Sequence, residues 1–201
     1  MPLRNRVTPF GDIIETPARG TLFGNRGRLH DKERRLVRTW QVRRWIACRL
    51  EFKGWHREPM PPGRYTGLFF LDEATALAAG HRPCAECRHE DYVRFRDAWR
   101  AAHPGRRWMA DDMDRVLHLE RLGPKRTKRL HSARLKDLPD GALVAEDDVA
   151  WLVLGHELLE WTPFGYSGRR PRKGATTVAL LTPPSTVATI RHGYDVSAPT
   201  R

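Results

Sequence analysis

The order of apolar and polar positions divides this chain into short segments. Residues 42–52, VRRWIACRLEF, alternate: Val42, Ile46, Cys48, Leu50 and Phe52 share one parity, and Arg43, Trp45, Arg49 and Glu51 share the other. Period two marks a half-buried strand. A turn-rich stretch follows (Gly54, Pro59, Pro61, Pro62, Gly63), and Tyr65 to Leu71 reads as a second strand, so the two predict a hairpin. Asp72 fits an N-cap for a short helix, Glu73 to Ala79, closed by Gly80. A longer helix is predicted at about 88–102, where Tyr92, Phe95, Trp99 and Ala102 recur at spacings of three and four before Pro104 and Gly105. Another is predicted over 111–121, with Met113, Val116 and Leu117 on one face.

The last third is different. Ala142 to Val144, Val149 to Leu154, Leu158 to Trp161 and Thr176 to Leu181 read as short strands joined by turns. Thr182 and Pro183 then suit a helix start and Gly193 its end. Residues 1–40 show no comparable periodicity and read as basic loop. Strands and helices mix without regular βαβ alternation, so the class is α+β: a small mixed region with a metal knuckle at a helix N-terminus, then a β-rich C-terminal part. The division suggested is 1–104 and 105–201, as two regions or one continuous domain.

Charge sharpens this picture. The 201 residues carry 36 Lys and Arg against 24 Asp and Glu, a formal net charge of +12. Such an excess points to a polyanionic partner, nucleic acid first. The longest apolar run, Val149 to Leu154, is far too short to cross a bilayer, and MPLRNRVTPFGD holds no apolar leader, so a cytoplasmic protein without membrane contact is expected. There are three cysteines, and two stand as Cys84-x-x-Cys87. In such a compartment that spacing favours a metal over a disulfide. Two thiolates three residues apart at a helix entry grip one zinc ion, and the helix N-terminus favours their charge.

Residues 69–88, FFLDEATALAAGHRPCAECR, resemble the second half of the Ada-type zinc domain, a module of bacterial DNA repair and regulation. The matching positions are Phe69, Phe70, Glu73, Ala74, Leu77, Ala79, Gly80, Arg82, Pro83, Cys84 and Cys87. The resemblance covers about a tenth of the chain. It implies that Cys84 and Cys87 supply two of four zinc ligands. It also implies two upstream cysteines spaced C-x-x-x-C, one of which accepts a methyl group from a damaged DNA phosphate. This chain departs there, because Cys48 is its sole upstream cysteine. His56 falls close to where the second would lie, so the expected site is Cys48, His56, Cys84 and Cys87, with His30 as the next candidate for the fourth place.

Basic residues gather in three clusters: Arg26 to Arg44, Lys125 to Lys136, and Arg169, Arg170, Arg172 and Lys173. Aromatics flank them, including Trp40, Trp45, Trp55 and Tyr166. Cations neutralise phosphates and exposed rings stack on unpaired bases. Arg82 and the cluster at 169–173, read as a Gly/Pro-rich arm, are the expected phosphate contacts. The alternative is a metal-dependent nuclease using Asp111, Asp112, Asp114, His118 and Glu120, since carboxylates and a His can hold Mg²⁺ for phosphodiester cleavage. The same acidic residues also complement a helix dipole.

Overall fold

The computed structural model describes residues 2–54, 58–174 and 176–196. Two six-stranded sheets and four helices build it, a mixed α+β architecture. The first sheet contains β1 (Arg4–Val7), β2 (Ile13–Glu15), β3 (Leu22–Asn25), β4 (Ile46–Arg49), β5 (Leu68–Phe70) and β6 (Arg82–Pro83), in the order β2-β1-β5-β3-β4-β6. Helix α1 (Glu73–Ala78) follows β5, and α2 (His89–Ala102) and α3 (Ala110–Arg121) follow β6. The second sheet contains β7 (His131–Arg134), β8 (Leu143–Glu146), β9 (Val149–Leu154), β10 (Glu157–Thr162), β11 (Gly165–Pro171) and β12 (Thr177–Leu180), in the order β11-β10-β9-β8-β12-β7. Helix α4 (Pro184–Arg191) closes the described chain. Among the described residues no helix is long and apolar enough to cross a membrane.

The expected hairpin between 42–52 and 65–71 does not form. Strand β3 lies between them, antiparallel to both β4 and β5. Three strands thus come from the segment read as loop. They are three or four residues long, below the length at which alternation becomes visible. Strand β4 is also shorter than its pattern suggested. Trp45 and Ala47 are as buried as Cys48, because both faces of this sheet are covered. On one face Ala47, Leu68 and Phe70 pack with Val7, Leu29, Ala76 and Ala79. On the other, Phe23 and Phe69 pack beside the cysteines.

Burial on both faces also explains the unbroken apolar run of β9. Ala150 and Leu152 meet Ala74 and Ala78 of α1, whereas Val153 faces Val144, Leu158 and Val187 on the α4 side. Between the sheets, Leu77 of α1 joins Tyr92, Phe95 and Trp99 of α2, Met113 and Leu117 of α3, and Tyr194. This cluster and the α1–second-sheet cluster both join residues before and after position 104. Strands β7 and β11 went unread because they are polar and lie at or near sheet edges. The basic segment 169–171 is therefore strand rather than arm.

Gly80 ends α1 with φ +88°, and an added Cβ would lie 2.6 Å from Arg121 Cδ. Gly80→Ala should destabilise the chain by about 2 kcal/mol, through backbone strain plus crowding. A chemical-denaturation midpoint unchanged from wild type would contradict this packing.

Candidate metal centre

The cysteines meet because two distant strands pair in parallel at the sheet edge. Ile46 stands beside Arg82 and Ala47 beside Pro83. The Arg82 N–H donates to Trp45 O at 3.1 Å and the Cys84 N–H to Ala47 O at 2.9 Å, which sets Cys84 next to Cys48. Pro83 costs no ladder bond on this outermost strand. The chain then turns tightly into α2, with the Arg88 N–H donating to Cys84 O at 3.2 Å, and the turn returns Cys87 to the same point.

All three cysteines are buried and free of disulfides. Their sulfurs lie within 4.8 Å of one another. Two thiolates on one tetrahedral zinc stand about 3.8 Å apart, from a zinc–sulfur distance of about 2.3 Å, so the group needs little closure to hold an ion. Tyr65 and Phe69 set their rings edge-on to Phe23, at 5.9 and 5.6 Å, forming an apolar wall beside the sulfurs.

The donors converge on Cys84. The neighbouring sulfurs of Cys48 and Cys87, and after them the backbone N–H groups of Cys87 and Glu86, hold the Cys84 thiol well below its ordinary pKa against the cost of burial. Cys48 is pushed up, by its hydrogen bonds to the other two sulfurs and then by burial. Backbone N–H groups aimed at a sulfur suit a thiolate, the form that ligates metal. Three soft donors in a dry pocket match zinc or another thiophilic cation.

Three sulfurs leave a tetrahedral ion one place short. His56 lies outside the described residues. His30 is elsewhere: its Nδ1 bonds Thr66 Oγ1 at 2.6 Å and its Nε2 faces Pro61 O at 3.3 Å. Among the described residues no His, Asp or Glu joins the sulfurs.

The expected phosphate contacts are placed as follows. Arg82 does not fit the role, because it is 2 % exposed and grips Asp114 with two bonds, Nε to Oδ1 at 2.9 Å and Nη2 to Oδ2 at 2.8 Å. Arg172 donates to Leu135 O and Leu138 O, each at 2.6 Å, and so joins β11 to the turn after β7. Arg169 pairs with Glu157 at 3.5 Å. Arg170 pairs with Glu146 and stacks on Trp151 at 4.2 Å. Lys173 is exposed.

The acidic set near α3 is dispersed. Asp112 bonds the Met109 N–H at 3.1 Å and pairs with Arg106 and Arg115. Asp114 holds Arg82, and Glu120 accepts from Ser185 N and Oγ at the start of α4. His118 sits edge-on to Trp40 at 4.6 Å, its pKa lowered to about 4 by burial and then by Arg121 and Arg43. Asp111, Asp112, Asp114, His118 and Glu120 form no metal-holding group among the described residues. No family model, curated protein or solved structure matches the chain.

The Arg82–Asp114 pair anchors the cysteine turn to α3. Asp114→Ala should cost about 3–5 kcal/mol, because it leaves a buried guanidinium unpaired. The double variant Arg82→Met with Asp114→Leu should recover most of that loss. A double-mutant cycle in urea in which the double variant is no better than Asp114→Ala would refute this account.

Proposed function

We propose that this chain is a zinc-containing nucleic-acid-binding protein, with DNA as the favoured partner. Zinc is held by Cys48, Cys84 and Cys87, with His56 as the fourth ligand. The ion closes a small, loop-rich edge of the first sheet and so fixes how α2 leaves it. A role in DNA repair or regulation is what the Ada-type resemblance of residues 69–88 adds.

One observation carries the nucleic-acid reading. Two of the three basic clusters meet in the fold. Arg121 donates to Arg43 O, and the Arg126 guanidinium stacks on Trp40 at 5.3 Å. Among the described residues none of Arg38, Arg43, Arg44, Lys125, Arg126 and Arg129 makes an ion pair with a carboxylate. Within the first cluster Arg34 and Arg35 are paired, with Glu58 and Asp31, and outside the clusters Arg94, Arg96, Arg106 and Arg115 are paired as well. Unneutralised cations collected on one face, beside a half-buried tryptophan, are what a phosphate backbone selects.

Two measurements test this. Metal analysis of the purified chain should find one zinc per molecule, and Cys84→Ala should lose it. Zinc retained by that variant would misplace the centre. Titration with short DNA duplexes and single strands should show affinity falling by about a thousandfold between roughly 50 and 200 mM salt, for about six phosphate contacts. Arg38→Gln and Arg126→Gln should each lower the salt slope by about 1. Binding indifferent to salt would sink the nucleic-acid reading and leave the zinc reading standing.

A further inference from the structure

Beside that basic face, and lined in part by its Arg38 and Arg126, the fold forms an open cavity of about 600 Å³. Its lining includes the cations Arg4, Arg26, Arg38, Arg121, Arg126 and Lys128, and one carboxylate, the exposed Asp12. Arg26 is 1 % exposed and reaches the cavity from the turn after β3. Its Nη1 donates to Gly11 O at 2.8 Å and its Nε to His81 Nε2 at 3.3 Å, but its Nη2 has no partner. Arg121 is also 1 % exposed; it donates to Gly80 O at 2.8 Å, and its Nε has no partner. Both guanidiniums stack on Trp45, at 4.0 and 3.9 Å, so a single ring aligns them. Lys128 brings an ammonium to the same place and donates to Ala78 O.

None of these three inner cations has a carboxylate ion-pair partner among the described residues. Buried arginines elsewhere do, as with Arg82 on Asp114 and Arg88 on Glu73. The strain of the arrangement shows in the charges themselves. Arg26 is lowered to about 9 by burial, with Asp12 opposing. Lys128 is lowered to about 7 by burial and then by Arg26 and Arg121. Buried cations left unpaired are unfavourable, and a multivalent anion placed among them removes the penalty.

We propose that this cavity receives a phosphomonoester: the terminal phosphate of a nucleic-acid strand, or the phosphate of a nucleotide. Three inward cations match a phosphate dianion better than a single carboxylate, and guanidinium forks suit its oxygens. The volume exceeds a bare phosphate, so an attached nucleoside fits within it. Arg4, Arg38 and Arg126 continue the positive lining outward, where the next phosphates of a strand would lie. The strand rests on the nucleic-acid reading above, whereas the phosphate site stands on the cavity alone.

The experiment compares three single strands of one sequence, bearing a 5′-phosphate, a 3′-phosphate or neither, with a nucleoside monophosphate and inorganic phosphate as small probes. Affinity is read by calorimetry and protection by thermal shift. One phosphorylated strand should bind at least tenfold tighter than the unphosphorylated strand, and both small probes should raise the melting temperature. Lys128→Met should abolish the tenfold preference and the protection, while keeping or raising the melting temperature without ligand. A merely structural lysine would lower it instead. Equal binding of all three strands, with no protection by either small probe, would overturn the phosphate site and leave general nucleic-acid binding intact. Protection by the small probes with no strand bound would keep the site and overturn the nucleic-acid reading. Should Lys128→Met fail to fold, the wild-type comparison decides alone.

Discussion

The first turn of α1 is the junction on which the rest of the molecule depends. Asp72 caps the helix, accepting from Thr75 N at 2.8 Å and Thr75 Oγ1 at 2.7 Å, and its other oxygen accepts from Tyr166 of β11 at 2.8 Å. Glu73 accepts from Arg88, at the head of α2, and from Tyr194, beyond α4. Trp161 of β10 donates to Thr75 Oγ1 at 2.9 Å. Carboxylates belong at a helix N-terminus, where the unpaired N–H groups favour negative charge. Here two of them also collect bonds from the second sheet, from the head of α2 and from beyond α4. Arg88 follows Cys87 directly, so the cysteine turn is tied through Glu73 to the core.

Two kinds of inward cation coexist, all buried but the half-buried Lys128. Arg82 and Arg88 meet carboxylates at short range and serve as ties between segments. Arg26, Arg121 and Lys128 meet carbonyl oxygens, a tryptophan ring and one another. Carbonyl dipoles satisfy individual N–H groups but do not cancel a net charge, so the second group retains an appetite for an anion that the first has lost. Position along the chain does not separate the two kinds, since neither the residues beside Arg82 nor those beside Lys128 include its counter-charge.

That limit explains how much could be read from the residues alone. The helices were legible because Asp72, Gly80, Pro104 and Gly193 punctuate periodic apolar stripes. Strands β8, β9, β10 and β12 were legible because their cores are strongly apolar. The short strands near the N-terminus and the polar strands β7 and β11 carry no such signal. At the metal centre, Cys84-x-x-Cys87 announced itself by spacing, and Cys48 was found through the resemblance. Its neighbours Phe23 and Tyr65 come from segments whose arrival depends on tertiary pairing of β3 with β4 and β5. Arg82 matched a motif yet proved internal, since a sequence names the charge but not its counter-charge. Arg26 and Lys128 were visible only as members of clusters, because burial of a cation has no local signature.

Strand β11 carries a last consequence. It forms the outer rim of the second sheet, where a row of N–H and C=O groups has no neighbouring strand. An open rim of this length is a template for another chain to add itself, the route by which sheets grow into fibres. Arg169, Arg170 and the terminal Pro171 lie along that rim. Charge and a missing donor make it a poor template for such growth.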